Sequence, residues 1–237
     1  MKQFKYTLGL CAVISALTIT SYVGARPASN GNTDKSIQSS SDLQTSSELD
    51  IGEEAHLVFM REEERLAHDV YATLGEAYPE TVVFANIVLS EANHTGTIAD
   101  KLDQYHIDDP STTDEVGEFT GEEYGWYFTE KYNLLVNMGN EGLLEALYVG
   151  ALIEELDMYD IVACPKVIVS TDNGIDEGEC GMEYTDEKSL VTTYSSLLEG
   201  SKDHLRAYVG NIEAIIGKGN YAAQYLSQEE VDEVLGR

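Results

Sequence analysis

Basic residues are scarce in this chain: 14 lysines and arginines stand against 43 acids in 237 residues, a formal charge of −29. A polymer of phosphates is repelled by such a surface, so nucleic acid and anionic membrane surfaces are poor partners. Cysteine is nearly absent too, with only Cys11, Cys164 and Cys180. Their spacing excludes a CxxC zinc or dithiol site, and no cysteine cluster for electron transfer exists. Strand signals are few, the best being Lys166 to Ser170, KVIVS. The apolar run from Leu8 to Ile19 falls short of the ~20 residues that span a bilayer.

Lys2 and Lys5 precede that run and Val23-Gly24-Ala25 follows it, the pattern of a secretory signal peptide over residues 1–25, cut after Ala25. Cys11 lies inside the run and not at its end, which argues against a lipid anchor. Losing two lysines and no acid takes the mature chain to −31. The expected product is exported, periplasmic or extracellular, with no membrane insertion. Residues 26–50 are rich in Ser, Thr, Asn and Asp and nearly empty of large apolar side chains. They cannot bury enough surface to offset their ordering entropy and read as a disordered linker. Residues 51–237 suffice for one domain with a full core. In an exporting compartment Cys164 and Cys180 are expected to pair, closing a loop worth roughly 3 kcal/mol.

Helical periodicity recurs in four long segments, at about Glu53 to Glu76, Thr81 to Tyr105, Glu141 to Ala163 and Glu187 to Ile216. Pro79 leaves only a short turn between the first two, which makes them antiparallel neighbours. The connection between the second and third is long, with a short extra helix in WYFTEKYNLLVNMG ending at Gly139, and Asn140 is placed to cap the third. Ser227-Gln228-Glu229-Glu230 signals a tail helix by its capping-box pattern. The fold class is all-α, and the connectivity is that of an up-down-down-up, ferritin-like four-helix bundle.

Ionisable residues interrupt the apolar stripes. In the first helix Phe59, Met60, Leu66, Ala67, Val70 and Leu74 make the stripe, and Glu63 falls near its middle. Glu62 and Glu64 fall to either side, as solvated acids or partners of Arg61 and Arg65. In the second, Glu91 and His94 stand one turn apart among Phe84, Ile87, Val88, Ile98 and Leu102. Two positions three apart aim a carboxylate and an imidazole at one point, as a transition metal requires. In the third, Glu154 and Glu155 flank the stripe, with Asp157 reaching the same side less directly. In the fourth, His204 edges a stripe that carries Ser201 and Tyr208, and Glu199 points away. One buried acid can protonate, but several acids and two histidines converging from four helices are unstable together without cations. The economical solution is two metal ions bridged by carboxylates; the competing arrangement is a hydrated polar core.

The segments FMREEERLAHDVY, FANIVLSEANH, EALYVGALIEELDMYDI and LLEGSKDHLRAY resemble the four signatures of an uncharacterised prokaryotic family of ferritin-like proteins, a domain of unknown function. The resemblance implies a di-iron carboxylate site carried by Glu63, Glu91, His94, Glu154 and His204. Two departures stand out. Ser201 occupies the place of the glutamate in a second Glu-x-x-His, leaving Asp157 or Glu155 to replace it, and the stretch from Cys164 to Tyr184 looks inserted, a stapled surface loop.

The expected function is iron oxidation or chemistry on dioxygen or peroxide at two iron ions, with manganese or zinc as other occupants. The alternatives are a module that sequesters metal without turnover and a metal-free helical interaction domain. Bundles of this kind often pair as homodimers, though no exposed heptad seam demands it.

Overall fold

The computed structural model describes residues 49–171 and 173–237; the expected signal peptide and the expected linker up to residue 48 lie outside them. The described chain is all-helical: α1 (Ile51–Ala77), α2 (Val82–Tyr105), α3 (Gly125–Gly139), α4 (Leu143–Val162), α5 (Lys166–Ser170), α6 (Lys188–Ile216) and α7 (Gln228–Leu235). None of these helices is long and apolar enough to cross a membrane.

The start of α1 reaches into the stretch read as linker. Asp50 accepts from Gly52 N and Glu53 N, both at 2.9 Å, while Glu53 Oε2 accepts from Asp50 N at 3.0 Å. This capping box satisfies three backbone donors. Ser227 and Glu230 form the same device at α7, as their spacing predicts. Asn140, by contrast, closes α3 rather than opening α4: its N–H donates to Val136 O at 3.0 Å, and α4 begins only at Leu143. Gly142 precedes α4 with no side-chain cap.

KVIVS is not a strand. No other strand exists among the described residues to pair its backbone, and a lone strand leaves its polar groups unmet. The segment instead forms the single turn α5, with Pro165 at its entry and Ile168 N bonded to Pro165 O at 3.0 Å.

The four long helices pack α1 on α2, α2 on α6, α6 on α4 and α4 on α1. Paired contacts give the directions. Glu64 meets His94 while Gly75 meets Phe84, so α1 and α2 run opposite ways. Ser201 meets Asp157 while Tyr208 meets Gly150, which sets α6 against α4. His56 meets Asp160 while Tyr71 meets Gly150, which sets α4 against α1. Thus α2 and α4 run the same way, and the 37 residues between them, 106–142, must return along the molecule; α3 lies in that return, packed on α1 and α4.

Residues 163–187 clasp the ends of α4 and α1. Met182 N donates to Ile161 O at 2.9 Å, Tyr184 OH to Asp50 Oδ2 at 2.6 Å, and Thr185 Oγ1 to Glu53. Gly52 is needed there, since a Cβ would lie 2.0 Å from Glu179 O. Cys164 and Cys180 are bonded and buried in this clasp. The non-reduced protein is therefore expected to show both thiols unreactive to alkylation by mass spectrometry. Replacing both with serine should lower the unfolding free energy in urea by about 3 kcal/mol, the loop-closure contribution for a separation of this size.

Candidate metal centre

Glu91 of α2 is almost wholly buried, and its two oxygens face two different histidines. Oε2 lies 3.1 Å from His94 Nδ1, one turn along the same helix; Oε1 lies 2.7 Å from His204 Nδ1 on α6. Each histidine meets one more carboxylate from a third helix. Glu64 Oε2 of α1 is 3.3 Å from His94 Nδ1, and Glu154 Oε2 of α4 is 3.5 Å from His204 Nδ1. The result is two Nδ1–carboxylate–carboxylate sets that share Glu91, with the imidazole rings stacked at 5.3 Å. Glu91, His94 and His204 alone bring three ligand atoms within 4.8 Å of one another.

The close approach of His204 Nδ1 to Glu91 is not a hydrogen bond. The nitrogen is buried and finds no partner in a donor direction, and Glu64 Oε1 is likewise unpartnered. His94 Nδ1 does bond Glu91 Oε2, but two further atoms left unpartnered among crowded nitrogens and carboxylates, in a site mostly closed to water, have the arrangement of ligands around an ion. Their chemistry agrees, since imidazole nitrogen with carboxylate oxygen and no thiolate suits iron, manganese or zinc.

Neighbouring groups fix these side chains. Tyr71 OH donates to Glu154 Oε1 at 2.6 Å, and Ser201 Oγ donates to Asp157 Oδ2. Gly200 gives His94 its place: a Cβ there would lie 2.6 Å from both Cε1 and Nε2 of the ring. Gly150 does the same for Tyr208, whose ring would be 2.4 Å from an added Cβ.

Burial pushes every acid of the group upward except Glu91, where contact with His204 and His94 outweighs burial and holds the carboxyl down to about 2. Burial lowers the histidines, but Glu64 and Glu91 carry His94 up to about 11, and Glu154 and Glu91 carry His204 up to about 10. Glu64 and Glu154 are raised to about 7, by burial and then by the charge of Glu91, which the histidines partly offset. Asp157 and Glu63 are raised well above the usual range by burial and then by neighbouring acids.

The stripe singles out Glu63 and relegates Glu64; the structure reverses their places. Glu64 meets His94, while Glu63 turns to Asp160 and Asp157. Glu62 is buried as well, against Gly121 N at 3.3 Å. Arg61 pairs with Asp109 and Arg65 with Asp69, not with either acid. The cause is that α1 is enclosed by α2, α3 and α4, so it has no exposed face over 62–67 beyond Arg61's flank. A stripe average then carries no directional information. Glu91, His94, Glu154 and His204 are brought together, with Asp157 beside them. Glu155 is excluded: its Oε2 accepts from Gln224, Tyr225 and Leu226 N at 2.8, 2.6 and 3.0 Å, and its Oε1 from Tyr221 OH at 2.6 Å. It pins the loop before α7. Sequence reasoning missed Tyr71, although it lies one helical repeat (seven residues) beyond Glu64.

Two outcomes follow. Glu64, Glu154 and the histidines all hold protons more tightly when folded, so metal-free protein should lose stability as pH rises from about 4.5 to about 11. Each tenfold gain in proton affinity on folding is worth about 1.4 kcal/mol. Glu91 acts oppositely, its contribution being present above 4.5 and lost as pH falls through about 2. Because metal displaces the histidine protons, the rise in Tm caused by added metal should be larger at pH 8 than at pH 5. Gly200→Ala, which by helix propensity alone would stabilise α6 by about 1 kcal/mol, is expected instead to lower metal bound per chain, read by elemental analysis, with helicity unchanged by circular dichroism.

Residues 53–237 match the family described as an uncharacterized protein domain, DUF2202. The chain is similar to uncharacterized protein MJ0754 of Methanocaldococcus jannaschii, 34% identical over 183 residues that make up 77% of this chain and 86% of that protein. It also superposes on a crystal structure of hypothetical protein MJ0754 from Methanococcus jannaschii with a TM-score of 0.66 and 33% identity, covering 80% of this chain and 96% of that one. The matched span holds every side chain of the centre, and the chain belongs to the DUF2202 family.

Proposed function

We propose that this protein is a ferritin-like four-helix bundle that holds two metal ions, iron foremost, and carries out iron oxidation or chemistry on dioxygen or peroxide outside the cytoplasm. The observation that carries the reading is the position of Glu91, one oxygen to each histidine, with Glu64 and Glu154 completing a matched set on either side. His94, Glu64 and Glu91 would hold one ion; His204, Glu154 and Glu91 the other; Asp157 stands ready to either. Four carboxylates balance two divalent cations, and the two imidazoles add no charge once deprotonated.

Bound iron supplies one-electron chemistry toward dioxygen or peroxide, and the rest is the work of this chain. Tyr71 holds Glu154 by its phenol, Ser201 holds Asp157, and the packed rings of Tyr71, Tyr208 and Phe84 keep water from that end of the site. Access is left on the α2–α6 seam, where the His94 side chain keeps 14% of its surface exposed beside Gly200. The disulfide supports an exported location, as does the expected signal peptide.

Metal-free protein given iron(II) without oxygen should bind two ions per chain, and admitting air should consume oxygen above a blank. Glu91→Leu should abolish binding of at least one ion and remove the metal-linked stabilisation, about 3 to 4 kcal/mol at a few hundredfold excess of metal over its Kd. Glu199→Leu is the control: Glu199 is exposed and pairs with Lys202, and its loss should change neither quantity. Full metal content in Glu91→Leu would overturn the site. Stoichiometric iron with no oxygen uptake would leave a metal-holding protein without turnover.

A further inference from the structure

From Val149 to Glu155 every residue of α4 is buried. A helix enclosed on all sides has no water-facing stripe to fix its rotation, so particular contacts must do it. Glu154 and Glu155 make that choice matter. Successive helix positions point about 100° apart, so Glu154 reaches His204 and Tyr71 only while Glu155 points away from them. Glu155 is fully buried on its own side, yet four donors meet it, all from residues 221–226. The backbone N–H groups of Gln224, Tyr225 and Leu226 donate to Oε2, and the Tyr221 phenol donates to Oε1. Successive N–H groups turned toward one anion are what a carboxylate needs when it leaves water.

The same segment grips α4 on either side of Glu155. About two turns before it, Gln224 Nε2 donates to Tyr148 O at 2.8 Å and the Tyr148 and Tyr221 rings stack at 5.8 Å. One turn after it, Tyr225 meets Tyr159 edge-on at 5.2 Å. The other anchorage of the segment is on α6. Arg206 Nε donates to Val234 O at 2.7 Å, Tyr221 N donates to Glu213 Oε1 at 3.3 Å, and Arg237 pairs with Glu213. Among the described helices α7 packs on α6 alone. Arg206 stands two residues beyond His204, as Glu155 stands one beyond Glu154. The segment therefore ties together the two helices that supply the His204–Glu154 half of the centre, whereas His94 and Glu64 come from α2 and α1.

We propose that residues 218–237 are a clamp on one half of the metal centre, and that Glu155 is the positioning residue through which they turn Glu154 toward His204. The inference rests on the reading of two bound ions given above. Docking of the segment and occupation of the His204–Glu154 half then favour one another, because coupling between two sites is reciprocal. The other half draws Glu64 and His94 from outside the clamped pair of helices.

The test counts iron(II) bound without oxygen to the metal-free mature chain and to Glu155→Gln, whose amide nitrogen would face N–H donors where an acceptor is needed. Wild-type protein should hold two ions and the variant one, with its affinity for the second lowered about tenfold or more, the scale on which partners of metal ligands act. Circular dichroism reports that the variant has folded. In the wild type, iron should also slow hydrogen exchange at the amides of residues 224–226, read by mass spectrometry. His94→Ala should keep that protection and His204→Ala should lose it, a difference that a merely structural role for Glu155 does not produce. If Glu155→Gln does not fold, Tyr221→Phe, which removes one of the four hydrogen bonds, should weaken the same ion, and unchanged affinity there overturns the clamp. Two ions held by Glu155→Gln at wild-type affinity, both ions lost alike from the folded variant, or exchange at 224–226 that iron leaves unchanged overturns the clamp while the centre stands. Wild-type protein that binds no iron overturns the centre and the clamp with it.

Discussion

The constraint on which the rest of the structure depends is the cost of taking carboxylates out of water. Glu63, Glu64, Glu91, Glu154, Asp157 and Asp160 sit on three helices, each nine-tenths buried or more. One such group without a partner costs several kcal/mol or gives up its charge. Six such groups have few compensating interactions: Tyr71 and Ser201 supply two hydrogen bonds, His94 and His204 two positive charges at most. In the function proposed above, cations would complete this layer in a fold that is stable only by a margin of about 5–15 kcal/mol. The apolar packing then follows from the need to enclose it. Tyr71, Tyr208 and Phe84 close one end, and His56, bonded to Tyr194 OH at 2.9 Å and to Asp160 O at 2.8 Å, closes the other without adding charge. Burial holds that histidine down to about 4, so it stays neutral.

Close approach of the helices is a second consequence. A site whose ligand atoms lie within 4.8 Å of one another leaves no room for ordinary side chains where rings cross helix backbones. Gly200 under His94 and Gly150 under Tyr208 are the two points where this is decided, both inside long helices where glycine costs about 1 kcal/mol relative to alanine. That local loss is accepted because the rings must lie against α6 and α4. The helices thus give up propensity at the level where the site needs proximity.

How much of this was legible in the sequence differs from helix to helix. The helices themselves were, because their apolar period is sustained over 20 residues and more. So were Glu91, His94 and His204: on α2 and α6 one face is exposed and the other buried, so a charged residue on the apolar side stands out. On α1 the signal fails. Residues from Glu62 to Ala67 are all buried, which removes the contrast that a period depends on, and the period points to Glu63 where Glu64 meets His94. On α4 the same enclosure leaves Glu154, Glu155 and Asp157 undecided. What separates them is the C-terminal loop at 221–226, whose backbone N–H groups claim Glu155. No local pattern in α4 could show that, because the partner lies about 70 residues away. KVIVS misleads for the opposite reason: its strand propensity is real, but propensity without a pairing strand has nothing to stabilise.

Ser201 is the one place where the sequence argues against its own best reading, since a second Glu-x-x-His would carry a glutamate there. The structure places Asp157 opposite, one turn beyond Glu154 on α4, with Ser201 Oγ donating to its Oδ2. The carboxylate that α6 lacks is thus delivered across the α4–α6 seam, and the serine is what remains on α6 to hold it. The shorter aspartate side chain fits because α4 approaches closely, as Gly150 also requires. The exchange keeps the number of inward acids while moving one from the helix of His204 to the helix of Glu154. It also leaves Asp157 Oδ1 buried without a hydrogen-bond partner. A departure that looks like the loss of a carboxylate is better understood as its transfer from one helix to its neighbour.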